Sequence, residues 1–153
     1  APVKISGYGR LLEAQVKEHG LEESVTFLGS QDAGQMKEQY LRCNAYVCVS
    51  SIENSPNSLG EAMLLGVPVV AALTGGVGSM ISPGEGWLFR GFSGEEEGEM
   101  QRISRELGEQ ILEVFSLQEQ VTERTRKARE HARRTHNAEE NLRQLLDIYR
   151  ELA

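Results

Sequence analysis

Cysteine and proline are scarce in this chain: Cys43 and Cys48 are the only thiols, and four prolines occur among 153 residues. Two thiols cannot supply a disulfide framework. With no matching Cys or His pair downstream they do not fit a zinc site either. The default for such residues is a reduced, buried thiol in a cytosolic protein. Positive charge is short as well. Sixteen Lys and Arg against 23 Asp and Glu leave −7, which argues against the electrostatic footprint of a nucleic-acid binder. The imbalance is spread along the chain, at −3 over 1–90 and −4 over 91–153. One stretch runs the other way, 124–134, with six basic residues and the single acid Glu130. No apolar run approaches the roughly 18 residues of a membrane span. No signal-peptide pattern is visible, so a cytoplasmic location is expected.

What is present is ordinary for a globular domain: 39% apolar residues, 25% charged, 16 glycines. A chain of this size buries roughly 68–70% of its unfolded surface, so a core forms without covalent staples. Residues 1–90 alternate short apolar runs with helical patterns. Strands are expected over 2–6, 25–28, 45–50, 68–72 and 86–89. The 7–9 Gly-Tyr-Gly stretch is expected to turn into a helix over 10–19, stopped by Gly20. Further helices are expected over 36–42 and 58–65, the latter closed by Gly66. Apolar strands separated by helices imply a parallel sheet covered on both faces. The fold class expected is therefore α/β, a Rossmann-like layout. Residues 90–99, rich in Gly and Glu, are expected to form an exposed loop. From Met100 the chain reads as helical: one helix carrying Ile103, Leu107, Ile111, Leu112 and Phe115, a polar one over 117–135, and a third capped by Asn137. Residues 1–90 would form the core and 91–153 a helical part of the same domain.

In open α/β sheets ligands bind at the carboxyl ends of strands, which draws attention to the segment after the third expected strand. There Glu53 and Glu61 flank a helix start. The N–H groups of Asn57, Ser58 and Leu59 are expected to point out of that helix, an arrangement that favours a phosphate. A carboxylate beside a phosphate site suits hydroxyl groups, which donate hydrogen bonds to it. Locally, Ser58-x-x-Glu61 is equally a capping box that closes the helix on itself, and Glu53 is equally a solvated loop acid.

Residues 50–72, SSIENSPNSLGEAMLLGVPVVAA, resemble the donor-site signature of family 4 of the retaining glycosyltransferases with the GT-B fold. That signature has two glutamates separated by seven residues, an EAM-type helix, a G-x-P turn and a VVA strand. Glu53, Glu61, Ala62, Met63, Gly66, Pro68, Val69 and Val70 match it. Val25, Phe27, Leu28 and Gly29 resemble the preceding strand of the family, the 74–76 Thr-Gly-Gly its glycine turn, and Ala128, Arg129 and Tyr149 its closing helices. The resemblance implies a hexosyltransferase that moves a sugar from a nucleoside diphosphate to an acceptor hydroxyl with retention. Glu53 would be the catalytic-site residue and hold hydroxyls of the donor sugar. Glu61 would hold the ribose hydroxyls, the N–H groups of Asn57, Ser58 and Leu59 the diphosphate, and Leu28 and Gly29 would lie near the base. No cofactor is implied, the nucleotide sugar being substrate. There is no D-x-D motif, so no metal site is expected.

Two departures from the family pattern stand out. Ser79 occupies the position where the family has a glutamate after its glycine turn. The family's first strand, with a Gly-Arg motif and a nearby lysine, and its N-terminal acceptor domain are expected before Pro2. By this resemblance the chain is the C-terminal half of a GT-B fold without its first βα unit, its partners the nucleotide-sugar donor and the missing acceptor domain. Such a piece is expected to be inactive alone and to pair with another copy or leave its sheet incomplete. Membrane contact is expected only through the full-length enzyme, and no nucleic-acid partner is expected. The alternative function is a non-catalytic nucleotide-binding or interaction module with the same fold. Elsewhere, His19 is expected at a helix C-terminus, and His131, His136 and the 124–134 run on a solvated face with Glu123–Lys127 and Glu130–Arg134 pairs. Trp87 is expected in the core or at a domain seam.

Overall fold

The computed structural model of the chain describes residues 7–94 and 97–152. The expected strand over 2–6 lies outside them. Packing divides the chain into two units, one up to Gln39 and one from Tyr40 onward.

In the first unit, α1 (Gly7–Glu18) takes in the glycines expected to form a turn. Glycine permits a turn but does not enforce one, and the helix starts three residues earlier than its apolar pattern indicated. No strand forms over 25–28. A strand exists only through a neighbour's N–H and C=O groups, and no described residue pairs with this stretch; Val25 and Leu28 remain 38% and 46% exposed. α2 (Ala33–Arg42) opens on a reciprocal capping box, Asp32 N–H to Gln35 Oε1 and Gln35 N–H to Asp32 Oδ1, both 2.9 Å.

The second unit holds the sheet. β1 (Tyr46–Cys48), β2 (Val69–Leu73) and β3 (Trp87–Arg90) run parallel in that order, with Tyr46 opposite Val69 and Val70 opposite Trp87. α3 (Asn57–Leu65) links β1 to β2 and ends on Gly66, whose φ of 74° lets its N–H reach back to the Ala62 and Met63 carbonyls. A four-residue helix, α4 (Val77–Met80), interrupts the β2–β3 connection without a sequence signal. Three long helices follow: α5 (Glu99–Ser116), α6 (Gln118–Thr135) and α7 (Ala138–Glu151). Asn137 caps α7 as expected, accepting from the N–H groups of Glu139 and Glu140.

The buried strand β2 explains the continuous apolar reading of VVAA: successive side chains alternate faces, and both faces are covered. Val70 and Ala72 pack with Trp87, Phe89 and Val114, joined by the partly buried Ile103, Leu107 and Ile111 of α5. Val69 and Ala71 are equally buried. Trp87 is fully buried, a core residue. The Arg124 guanidinium lies 4.9 Å from its ring centroid and donates to the Gly86 carbonyl at 3.2 Å.

The basic run is exposed as expected at Arg126, Lys127, Arg129, Arg133 and Arg134, but Arg124 and His131 are partly buried. Of the two expected pairs, Glu123–Lys127 forms at 3.3 Å, but Glu130 pairs with Arg126 at 2.7 Å. Arg129 donates to the Leu64 carbonyl, His131 meets Glu85 at 2.7 Å, and the His136 ring lies against Gly60 of α3. Arg124 and His131 pack onto the sheet domain because arginine and histidine bury their stems while their polar ends find carbonyls and carboxylates.

Among the described residues of the expected 90–99 loop, 92–94 and 97–98 are exposed, as expected, and the loop runs into the buried Glu99. Glu99 is 4% exposed, and its carboxylate accepts the Ser93 N–H at 2.7 Å, the Ser93 hydroxyl at 2.8 Å and the Gly94 N–H at 2.9 Å, with Arg102 at 3.4 Å. The Ser93 backbone hydrogen bond leads in pulling its pKa down to about 2 against the opposing effect of burial, helped by the Ser93 hydroxyl, the Gly94 N–H and Arg102. A depressed carboxylate contributes stability that is complete above its ordinary pKa and is lost as pH falls through the folded value. Unfolding free energy measured by denaturant titration should therefore decline between about pH 4.5 and 2, and Glu99→Gln should flatten that part of the profile. An unchanged profile in the variant would refute the assignment.

Candidate active site

The candidate site is built where β1 and β2 end. After Cys48 the chain runs through 49–56 into α3, carrying Glu53 half-buried and Glu61 exposed. The 74–76 glycine turn after β2 packs directly against it. Gly76 donates its N–H to the Glu53 carbonyl at 3.3 Å. A Cβ on Gly75 would overlap the Glu53 carbonyl oxygen, and one on Gly76 that of Asn54. Backbone-to-backbone contact of this kind excludes any side chain, so these glycines act as a support for the Glu53 loop. Ser55 adds a hydroxyl-to-sulfur contact with Met80 at 3.6 Å. Ser79 closes the next turn by donating to the Gly76 carbonyl at 2.7 Å.

The capping box read at Ser58 and Glu61 does not form. The residue preceding α3 is Pro56, and no side chain caps the helix. Ser58 is instead the second residue of α3, and its hydroxyl meets the Tyr46 hydroxyl at 2.6 Å. The expectation for Leu59 is also corrected. Its side chain is fully buried and its N–H donates to the Pro56 carbonyl at 2.9 Å, because the first turn of the helix tightens into an i to i+3 bond. The N–H groups of Asn57 and Ser58 have no acceptor among the described residues. Leu28 and Gly29 lie in the first unit, where the Leu28 carbonyl accepts from Gln31 Nε2 at 2.8 Å.

Two tyrosines that the sequence did not single out join the site. The Tyr40 hydroxyl is 3.2 Å from the Ser58 carbonyl and 3.3 Å from Glu61 Oε2. Its ring meets that of Tyr46 edge to face, centroids 5.7 Å apart. Burial, and then the Glu61 charge, push the Tyr40 phenol well above its ordinary pKa. Burial also raises Tyr46, against the Ser58 hydrogen bond, with Cys48 and the charge of Glu53 adding to the rise. Both phenols therefore stay protonated, and that of Tyr40 is a hydrogen-bond donor. Glu61 thus meets one tyrosine of this aromatic pair directly, through the Tyr40 hydroxyl.

A parallel sheet with helices flanking it, and carboxylates and helix amides at its strand ends, defines a Rossmann-like α/β domain. The family model of glycosyl transferases group 1 matches residues 3–131, and the chain belongs to that family. Among solved structures, sucrose-phosphate synthase (tll1590) from Thermosynechococcus elongatus is similar over 96% of this chain and 35% of its own, at 26% identity and a TM-score of 0.79. Anabaena Alr3699/HepE in complex with UDP-glucose is similar over 82% of this chain and 32% of its own, at 26% identity and a TM-score of 0.64. The C-terminal domain of the group 1 family protein LpcC from Francisella tularensis shares the fold, at 23% identity over 81% of this chain and 60% of its own, with a TM-score of 0.63. No curated protein matches the chain significantly. The chain spans about a third of the length of the first two of these structures. These likenesses place the fold among the C-terminal domains of GT-B glycosyltransferases. No helix among the described residues is long and apolar enough to cross a membrane.

Proposed function

We propose that this chain is the donor-binding part of a retaining hexosyltransferase that uses a nucleoside diphosphate sugar. The observation that carries the reading is the joint placement of Glu53 and Glu61 around the start of α3, at the ends of parallel strands. The UDP-glucose complex of a structural neighbour supports this choice of ligand class. Glu61 Oε1 and Glu53 would accept hydrogen bonds from ribose and sugar hydroxyls. The N–H groups of Asn57 and Ser58 would face the diphosphate. In transfer, the bond from the anomeric carbon to the diphosphate breaks, the bond to the acceptor oxygen forms on the same face, and the acceptor proton passes to the leaving phosphate. No cofactor is required in this scheme.

A helix N-terminus contributes about 0.3–1 kcal/mol toward an anion, less than the roughly 2.7–4 kcal/mol of one preorganised charge-stabilising group. Turnover by this chain alone should therefore be negligible while binding is measurable. The test is ligand-observed NMR with UDP, GDP and ADP, repeated on Glu61→Ala. Selective binding of one nucleotide is expected. Loss of hydrogen bonds to a charged group, worth about 1.5–3 kcal/mol, should weaken it at least tenfold in the variant. Equal affinity with and without the Glu61 carboxylate would remove the assignment.

A further inference from the structure

Tyr40 is 4% exposed, yet its hydroxyl carries a single proton and has two acceptors within reach, the Ser58 carbonyl at 3.2 Å and Glu61 Oε2 at 3.3 Å. Both belong to α3. A helix carbonyl at Ser58 is already served by the helix ladder, whereas the carboxylate is exposed and gains more from a donor, since a charge-assisted bond is roughly twice as strong as a neutral one. The ring that delivers the hydroxyl cannot swing away. Tyr46 holds its edge at 5.7 Å, and Tyr46 is itself fixed by the 2.6 Å contact with Ser58 Oγ. An exposed glutamate otherwise samples several rotamers and loses that freedom on binding.

We propose that Tyr40 is a positioning residue for Glu61: it holds Oε2 so that Oε1 is presented to a ligand hydroxyl in one orientation. The inference rests on the donor-site reading of Glu61. It adds a residue 21 positions away in sequence that touches no ligand. Tyr46 and Ser58 serve the same purpose one step removed, by fixing the ring.

The experiment uses Tyr40→Phe, which keeps the ring and removes only the hydroxyl, in the native background and in Glu61→Ala. Two readouts are taken on the chain: the three-bond couplings of the Glu61 side chain without ligand, and the UDP dissociation constant by calorimetry. In the native chain one Glu61 rotamer is expected, and in Tyr40→Phe an average. UDP affinity should fall about five- to tenfold, in line with losing part of a charge-assisted hydrogen bond. Tyr40→Phe should have no further effect once Glu61 is alanine. Three results would overturn the proposal. The couplings could be the same in native and variant chains. Affinity could be unchanged in the variant despite lowered thermal stability. The affinity loss could persist undiminished in Glu61→Ala. If Glu61→Ala itself leaves nucleotide affinity unchanged, or the chain binds none of UDP, GDP and ADP, the donor-site reading fails first and the proposal falls with it; if GDP or ADP is the nucleotide bound, its dissociation constant replaces that of UDP. If only Tyr40→Phe is silent, that reading stands and the positioning role alone is lost.

Discussion

Replacing Trp87 with alanine should lower the stability of the second unit by about 3–5 kcal/mol, the range for removing a large buried aromatic. Trp87 is fully buried, sits opposite Val70 in the sheet register and packs with Phe89 and Val114 between β2, β3 and α5. No smaller neighbour can fill the volume, because the facing positions are already occupied by the short side chains Val70 and Ala72 on a central strand. The loss extends beyond the cavity. Arg124 would lose the ring face it covers at 4.9 Å and keep its bonds to the Gly86 carbonyl and Gln120 Oε1, which weakens the hold of α6 on the start of β3. Such a cost is a large fraction of the stability of an ordinary domain, so near-complete unfolding at modest denaturant is the expected result. Trp87→Phe should retain most of the packing and lose the smaller part. A Trp87→Ala chain with an unshifted urea midpoint would contradict the role of Trp87 as the centre of this core.

Gly75→Ala should disable the candidate site by a different route. Gly75 has a φ of 52°, a region that costs an L-residue roughly 1–2 kcal/mol. Its new Cβ would also overlap the Glu53 carbonyl, and backbone cannot yield as the end of a flexible side chain can. Overpacking of that kind typically adds about 1–3 kcal/mol. The Glu53 loop must move away, and the bond from the Gly76 N–H to the Glu53 carbonyl goes with it. The expected outcome is loss of nucleotide-sugar binding together with lowered stability. Gly108→Ala is the matching control. A Cβ there meets nothing within 4 Å, and the position lies inside α5, so alanine should stabilise by about 0.8–1.0 kcal/mol. Calorimetric binding and thermal melts of both variants separate the two cases. Unimpaired binding by Gly75→Ala would show that the glycine turn does not support the Glu53 loop.

Local sequence determined much of this architecture. The three parallel strands, the helices around them apart from the short α4, the Gly66 stop and the Asn137 cap are readable, because each depends on interactions within about four residues or on the apolar period of a single element. The 50–72 string located the candidate site for the same reason: a strand end, a loop with one acid and a helix start with another are contiguous. The tertiary structure decided what those residues do to one another. Ser58 looked like a cap and became the partner of Tyr46; Glu61 looked like its capping partner and is held by Tyr40 instead. Glu99 looked like one more loop acid and is a buried anchor. The basic stretch looked solvated and mostly is, but Arg124, Arg129 and His131 reach Gly86, Leu64 and Glu85. The strand over 25–28 looked as apolar as the others and found no partner among the described residues. Several of the deciding contacts join residues that no periodic pattern links: 21 apart for Tyr40 and Glu61, 46 for His131 and Glu85, 65 for Arg129 and Leu64. A hydrogen bond needs its partner within about 3 Å, and only the packed chain brings such distant groups that close.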